Sequence, residues 1–293
     1  MISDIIPFWS KYWFYILISI FTYMYILWMI PRVKSKIENE RNKKKYETET
    51  SDNEEEKSFL TEEDEDEPAL NPKLGDIHFN YQRPSEAKMR EKSRKFFEIA
   101  NSRRTLRFFS YDPIPKDVIH NIIRAAGTAP SGAHTQPWTF VVVTDSNIKA
   151  KIREIVEREE EINYKKRMGK KWITDLEFLK TTWTKEYLTT APCLILVFKQ
   201  IYGILPNNAR KVHYYNELSV AIASGILITA IQYAGLVTLT STPLNCGPAL
   251  RLLLNRPTNE KLTLLLPVGY PAEDATVPLL HRKSLSDILV EMD

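Results

Sequence analysis

Cysteine is nearly absent from this chain, which has only Cys193 and Cys246 among its 293 residues. The CxxC, HExxH, GxGxxG and P-loop patterns are also missing, so the sequence gives no support for a zinc site or a dinucleotide-binding fold. Residues 68–293 contain no N-x-S/T glycosylation acceptor. Together these absences favour a reducing, cytosolic location for this part of the chain. We interpret Cys193 as a core residue and Cys246 as structural.

Charge is distributed very unevenly along the sequence. Residues 1–31 have no net charge, residues 32–46 carry +5 and residues 47–67 carry −11, so residues 68–293 carry +9. A basic body suits anionic ligands such as phosphates and phenolates. The basic residues are scattered and no nucleic-acid motif is present, so we expect no nucleic-acid partner.

One long uncharged run occupies residues 12–30. As a helix, it would span about 28 Å, close to the thickness of a bilayer core. A cleaved signal peptide is the alternative, but the run is long for a signal core and no small-x-small cleavage site follows it. We therefore predict that residues 1–31 form a single-pass membrane anchor. The basic residues that follow the run would place the C-terminal body in the cytosol.

Residues 32–84 are predicted to be a charged, mostly disordered tether. Residues 47–67 contain twelve acidic residues and one lysine, a composition that cannot bury an apolar core. A protein-binding acidic tail is the alternative interpretation of this segment.

Residues 85–293 are long enough for one substantial core. Helical and strand-like patterns interleave without clean βαβ repeats, which predicts a three-layer α+β fold. The helix predicted over 217–234 is apolar almost throughout and needs burial on all sides, which favours a homodimer interface over a central helix in a monomer. The other predicted helices cover 85–102, 147–167 and 175–188, with one more beginning at Pro115, and the predicted strands cover 139–144, 192–198, 236–240 and 262–268.

A small, polar segment with the sequence GTAPSGAHTQPW occupies residues 127–138. It lies between a predicted helix and a predicted strand. Glycine lets a ligand approach the backbone closely, and serine and backbone N–H groups there could face a flat polar ring. An ordinary helix-to-strand loop is the alternative.

A basic element, RRTLR at residues 103–107, precedes that loop. Guanidinium groups match phosphate oxygens bidentately, and Thr105 offers a hydroxyl. A basic strand edge is the alternative. Further along the chain lie the loop LTSTPLNCGP, at residues 239–248, and Arg282.

These four elements are the basic element at 103–107, the loops at 127–138 and 239–248, and Arg282. In their order along the chain, they resemble the FMN-contacting elements of the nitroreductase-like flavoproteins, and most closely those of the iodotyrosine deiodinase family. The resemblance covers roughly residues 85–290. It implies a homodimer with two FMN sites at the interface. It also implies two catalytic contacts, a hydrogen bond from Thr242 to the flavin N5 that permits one-electron transfer, and a backbone contact from Ala133 to the substrate phenolate. The FMN-binding residues that it implies are Arg103, Arg104, Thr105, Leu106, Arg107, Pro130, Ser131, Gly132, Thr240, Ser241, Thr242 and Arg282.

The charged segment at residues 157–188, which we call the lid, is predicted to select the substrate. Glu160 and Tyr164 are four residues apart and would share a helix face, and Lys185 would lie on the next helix. A carboxylate and an ammonium group could bind the two charged ends of an amino acid, and a tyrosine could add a hydroxyl bond or a stacking face. The resemblance places all three on the zwitterion-binding positions of the deiodinase family. A solvated charged hairpin is the alternative.

We therefore expect an FMN-dependent enzyme that removes iodide reductively from 3-iodotyrosine and 3,5-diiodotyrosine. NADPH would drive the reaction overall, through an unidentified reductase, and no metal is expected. No side chain resembles a nucleophile with a poised base, so catalysis would rest on the flavin. The alternatives are a generic FMN nitro- or quinone reductase and a membrane-tethered, non-catalytic ligand-binding or adaptor protein.

Overall fold

The computed structural model describes residues 21–25, 29–30, 75–167, 169–177, 179, 181–205 and 210–292. The chain divides into two compact units, Met1–Thr61 and Glu62–Asp293. In the first unit, residues 21–25 and 29–30 are helical. The rest of the predicted membrane segment and residues 32–74 of the predicted tether lie outside the described residues. Over the ranges that are described, no helix combines the length and the apolar character needed to cross a bilayer.

The second unit alternates helices and strands along the chain. The helices are α1 (Glu86–Ser102), α2 (Lys116–Ala126), α3 (Ser146–Ile162), α4 (Lys170–Glu177), α5 (Tyr187–Thr190), α6 (Asn216–Tyr233) and α7 (Gly247–Leu253). The strands are β1 (Trp138–Val143), β2 (Cys193–Gln200), β3 (Tyr202–Ile204), β4 (Arg210–Val212), β5 (Val237–Thr238) and β6 (Glu260–Gly269). A π-helical turn, Asn163–Arg167, directly follows α3.

The main sheet has the strand order β1-β2-β6-β5, and every neighbouring pair is antiparallel. Strand β2 lies between two partners, and its residues Cys193 to Phe198 are all buried. Such a continuous apolar run is typical of a strand that is covered on both faces. Strands β3 and β4 form a separate two-stranded hairpin.

Two hydrophobic clusters cover the two faces of this sheet. Cys193, Ile195 and Val197 pack with residues of α2 and α6, whereas Leu194, Leu196 and Phe198 pack with residues of α3 and α7. This alternation follows from the period of two residues in a strand. The predicted three-layer α+β fold is therefore confirmed.

Helix α6 buries only one of its faces within the chain. Val220, Ala223 and Leu227 are fully buried in the core, whereas Leu218 and Ile222 on another face are 64% and 46% exposed. Among the described residues, the alternative of a central helix buried on all sides within one chain is therefore not met, and α6 leaves an apolar surface uncovered.

The lid departs from its predicted helices. The helix predicted over 147–167 ends at Ile162 and continues as the π-helical turn, and the helix predicted over 175–188 is wrong: α4 ends at Glu177 and α5 begins at Tyr187. Three threonines, Thr181, Thr182 and Thr184, lie between the two helices, and the Thr182 hydroxyl oxygen accepts a hydrogen bond from the backbone N–H of Thr184. Because threonine loses rotamer freedom in a helix and bonds nearby backbone groups, this stretch does not continue the helix.

Candidate active site

The basic element Arg103–Arg107 follows α1 and runs alongside β5. Thr105 forms a parallel bridge with Thr238, and the N–H of Leu106 donates to the Thr238 carbonyl oxygen at 3.2 Å. Leu106 is 6% exposed and anchors the element in the core. The arginines on either side of this anchor are only partly buried, so the segment holds several guanidinium groups at the edge of the sheet.

A cavity of about 310 Å³ lies against these arginines. Its lining includes Arg103, Arg104, Arg107 and Arg282 but no acidic residue. Burial lowers the pKa of Arg103, and the nearby charges of Arg282 and Arg104 lower it further. Among the described residues, no carboxylate pairs with any of the four. Such a cluster of like charges is electrostatically complementary to a polyanion such as a phosphate.

Two of these arginines also attach the C-terminal segment to the basic element. Arg104 donates through Nη2 to the Pro278 carbonyl oxygen at 2.8 Å and through Nη1 to that of Leu280 at 3.3 Å. Arg282 donates through Nη2 to the Arg103 carbonyl oxygen at 2.7 Å and through Nη1 to that of Asn101 at 2.9 Å. The structure thus brings Arg282 to the basic element, although Arg282 and Arg103 are 179 residues apart.

The predicted N5-contacting loop begins where β5 ends. Ser241 exchanges two backbone hydrogen bonds with Leu265 of β6, at 3.1 and 2.8 Å, whereas Thr240 and Thr242 on either side of it are exposed. Strand β5 is the element beside which Thr105 lies. The basic element and the threonine loop are therefore neighbours at one edge of the sheet.

The loop of Pro130, Ser131, Gly132 and Ala133 packs against the start of α6 instead. A Cβ atom on Gly132 would lie 2.5 Å from the Tyr214 carbonyl oxygen, so only glycine fits. Ala133 has a positive φ of 44°, which costs a non-glycine residue energy and is concentrated at functional sites. None of these four residues lines the cavity at the basic element. This cavity therefore does not bring together all of the predicted FMN contacts.

The three residues predicted to bind the amino-acid end of the substrate meet in the lid. Lys185 Nζ lies 3.6 Å from Glu160 Oε2 and 5.6 Å from the centroid of the Tyr164 ring. The three residues are 5%, 8% and 6% exposed respectively, which contradicts the alternative of a solvated charged hairpin. Glu160 and Tyr164 project to the same side, as predicted, but Lys185 lies just before α5 and not on a helix.

Burial shifts the pKa values of Lys185 and Tyr164. It lowers the pKa of Lys185, and the facing Glu160 carboxylate raises it again. Burial, assisted by Glu160, raises the pKa of Tyr164 to about 12. Tyr164 therefore keeps its proton at neutral pH and can donate a hydrogen bond, while Lys185 and Glu160 form a buried pair of opposite charges.

A second cavity, of about 320 Å³, connects the lid to the basic element. Arg107 lines it together with Lys185, Tyr187 and Thr181, and Arg107 also lines the first cavity. None of the described residues hydrogen-bonds the Arg107 guanidinium. Arg107 thus offers free donors at the junction between the two cavities.

Sequence reasoning missed three residues that support the lid. Glu157 accepts hydrogen bonds from the backbone N–H of Lys185 at 2.6 Å and from Arg153 Nε at 2.8 Å, and so fixes Lys185 to α3. The other two are Asn163, which donates a hydrogen bond to Glu160 Oε1 at 3.3 Å, and Tyr187, which lines the second cavity with Lys185. The only signal for Asn163 was its position three residues after Glu160 on the same helical face.

Comparisons with known proteins agree with this geometry. A model of the Nitroreductase family matches residues 100–270. Iodotyrosine deiodinase 1 of Mus musculus is 63% identical over 214 residues, which cover 73% of this chain and 75% of the relative. Iodotyrosine deiodinase of Danio rerio is 64% identical over 206 residues, which cover 70% of each chain.

A solved structure supports the same relationship. The structure of oxidized iodotyrosine deiodinase bound to FMN and 3-iodo-L-tyrosine matches with a TM-score of 0.57 and 30% identity, over 68% of this chain and 98% of that chain. Fold, basic element, lid and relatives thus point to one group of proteins. The chain belongs to the nitroreductase family and, within it, to the iodotyrosine deiodinases.

Proposed function

We propose that the protein is an FMN-dependent enzyme that removes iodide reductively from 3-iodotyrosine and 3,5-diiodotyrosine. The observation that carries this proposal is the buried lid group of Glu160, Tyr164 and Lys185, with its two opposite charges 3.6 Å apart. Bound FMN, in its reduced form, supplies the two electrons and the proton that convert an aromatic C–I bond into a C–H bond and release iodide. An NADPH-linked donor would restore the electrons.

The basic element would hold the FMN phosphate. Four arginines line a cavity without an acidic residue, and charge-assisted bonds from guanidinium to phosphate are among the strongest in proteins. Thr105 would add its hydroxyl, and Leu106 would keep the element fixed in the core. Ser131, Gly132, Pro130, Thr240 and Ser241 are the remaining proposed contacts to the cofactor.

The lid would read the amino-acid end of the substrate. The substrate ammonium would bind the Glu160 carboxylate, the substrate carboxylate would bind Lys185, and the Tyr164 hydroxyl would donate to it. Two new charge pairs then replace the single pair between Glu160 and Lys185. Because these side chains are already buried, the bound amino acid would be shielded from water, which strengthens each interaction.

Thr242 and Ala133 would act at the reacting end. The exposed Thr242 hydroxyl would form a hydrogen bond with the flavin N5, and the backbone of Ala133, held in its strained turn, would bind the phenolate oxygen. Neither residue is a nucleophile or a base. Their role would be to orient the ring and tune the flavin.

We further propose that the protein works as a homodimer. The exposed apolar face of α6 needs a cover, and α1 has no buried residue and exposes Phe96 and Phe97 by 60% and 64%. The Pro130–Ala133 loop packs at the start of α6, so a partner that covers α6 could bring its own copy of this loop to the cavity at the basic element. Each FMN site would then combine residues of both protomers.

The test is to purify the protein and identify its chromophore and reaction. A yellow protein that releases FMN on heating, and that when reduced without oxygen is reoxidised by iodotyrosine with release of iodide, is the expected result. Colourless protein would instead favour the adaptor alternative. FMN-loaded protein that reduces nitroarenes but whose flavin fluorescence iodotyrosine does not quench would favour the general nitroreductase alternative.

We also propose that the chain begins with a membrane anchor and a tether, which are not needed for catalysis. Residues 1–31 would attach the protein to a membrane with residues 85–293 in the cytosol, and residues 32–84 would act as the tether. Residues 71–293 expressed alone should be soluble, yellow and active. Insoluble or flavin-free protein would show that the preceding residues belong to the catalytic fold.

A further inference from the structure

Lys149 of α3 is a buried lysine that binds the end of the short helix α5. It is 7% exposed, and its Nζ donates to the carbonyl oxygens of Thr189 at 3.2 Å and of Ala191 at 2.7 Å. The last carbonyl groups of a helix have no partner within it, and lysine side chains commonly bind them. No carboxylate in the described part of the chain pairs with Lys149. The two carbonyl bonds therefore offset the burial of its ammonium group.

Two further side chains of α3 extend this polar row toward Lys185. Arg153 Nη1 donates to the Thr189 hydroxyl oxygen at 3.0 Å, and Glu157 Oε1 accepts from the backbone N–H of Lys185 at 2.6 Å. Arg153 and Glu157 also pair with each other at 2.8 Å. Because Lys149, Arg153 and Glu157 follow one another at intervals of four residues, they share one face of α3, and the row extends over about 12 Å. It contacts both ends of the segment that contains α5.

The segment needs such contacts because α5 is very short. The helix is a single turn of four residues, Tyr187–Thr190, and a helix of this length is not stable by itself. Leu188 is the residue that it buries, in the same cluster as Ile152 and Val156 of α3. One apolar side chain holds the turn against α3 but leaves it free to rotate, whereas directional hydrogen bonds at several points remove that freedom. The position of the residues just before α5 therefore depends on the polar row.

Lys185 lies two residues before α5, and its ammonium group already has two partners. Nζ donates to the Thr182 carbonyl oxygen at 2.6 Å and lies 3.6 Å from Glu160 Oε2. An ammonium group has three N–H donors, so one remains for a ligand. Hydrogen bonds weaken steeply when they are misaligned, so a shift of the backbone at Lys185 would turn this donor away from a bound carboxylate. Glu160, in contrast, lies on α3 itself and does not depend on the row.

We propose that Lys149 and Arg153 are positioning residues that, together with Glu157, hold Lys185 where it binds the substrate carboxylate. Neither Lys149 nor Arg153 lines the cavity that contains Lys185, so they act through the backbone of the segment and not on the substrate. The row thereby sets the preference for ligands that carry a carboxylate, while binding of the ammonium group depends on Glu160. This inference rests on the proposed function, in which Lys185 binds the substrate carboxylate.

The test compares four ligands that differ only at the amino-acid end. Iodotyrosine has both charges, iodotyramine lacks the carboxylate, the desamino acid of iodotyrosine lacks the ammonium group, and iodophenol lacks both. Their Kd values are measured by quenching of flavin fluorescence in full-length wild type, Lys149→Met and Arg153→Met. Lys151→Met is the matched control, because Lys151 is an exposed lysine of the same helix. Each variant is also combined with Lys185→Gln.

We expect Lys149→Met and Arg153→Met to retain FMN and to raise the Kd of iodotyrosine and of the desamino acid roughly three- to tenfold, the usual effect of a lost hydrogen bond. The Kd values of iodotyramine and iodophenol should not change, and Lys151→Met should match the wild type for every ligand. In the Lys185→Gln background neither variant should weaken binding further, because the row acts through Lys185.

Equal losses for all four ligands, additive losses in the Lys185→Gln background, or wild-type Kd values in both variants would overturn the inference. Arg153 is only partly buried, so Arg153→Met decides the question if Lys149→Met does not fold. Failure of the proposed function is visible in the wild type alone. Wild-type protein without deiodination would refute the proposed reaction, and equal wild-type Kd values for iodotyrosine and iodotyramine would refute the proposed role of Lys185.

Discussion

Replacing Glu160 with glutamine should weaken the binding of iodotyrosine and leave the binding of iodophenol unchanged. Glutamine keeps the shape of the side chain and its hydrogen bond with Asn163, but it removes the negative charge. Only iodotyrosine carries an ammonium group that needs this charge. Since Glu160 faces Lys185 and not the arginine cavity, FMN should stay in place.

The magnitude follows from the burial and spacing of the charges. At 3.6 Å and an effective dielectric constant of about 20, two unit charges attract by about 5 kcal/mol. Desolvation of both ions offsets much of this gain. The net worth of a charge-assisted hydrogen bond is about 1.5–3 kcal/mol, which corresponds to a roughly ten- to hundredfold increase in Kd. Lys185→Gln should have an effect of similar size through the substrate carboxylate.

The assay is quenching of flavin fluorescence by each ligand in wild type, both single variants and the double variant. Iodophenol serves as the ligand control because it has the iodinated ring without the charged ends. Specificity is a difference between two affinities, so both ligands must be measured in every variant. Wild-type affinity for iodotyrosine in both single variants, or an equal loss for both ligands, would refute the assignment of these residues to the amino-acid end.

Three further predictions concern the cofactor and stability. Arg107→Ala should weaken FMN retention roughly ten- to hundredfold, because its guanidinium is otherwise uncommitted; Arg90→Ala on exposed α1 is the control, and equal FMN affinity in both would remove the phosphate role. Thr242→Ala should keep FMN and lose more deiodination than nitro reduction; an equal fall in both rates would contradict its N5 contact. Burial and Lys211 lower the pKa of His213 to about 4. Its unfolded value is about 6.5, so the unfolded chain binds more protons between these pH values. Stability should therefore fall by up to about 3 kcal/mol as pH drops from 6.5 to 4, and urea unfolding of His213→Gln should show a flatter pH dependence.

Much of the fold follows from local patterns in the sequence. The apolar run of β2 predicted a buried strand because only a strand covered on both faces can be apolar at every position. Ser85 predicted the start of α1, and its side chain accepts a hydrogen bond from the Lys88 backbone N–H. The spacing of Glu160 and Tyr164 placed them on one helix face. These features depend on residues a few positions apart, which a sequence pattern can report.

The tertiary structure alone decided how the site is assembled. Glu160 and Lys185 were predicted from the sequence. Their burial as a pair depends on the non-helical residues before α5, which interrupt the helix and bring Lys185 back to α3. The hydrogen bonds of Arg104 and Arg282 to backbone carbonyls link positions 174 to 181 residues apart, and no local pattern encodes such contacts. The same holds for Asn163, whose partners lie one turn away in the lid and more than eighty residues away in the loop. Side-chain types and helical spacing are properties of the local sequence, whereas burial and long-range hydrogen bonds form only once the chain has packed.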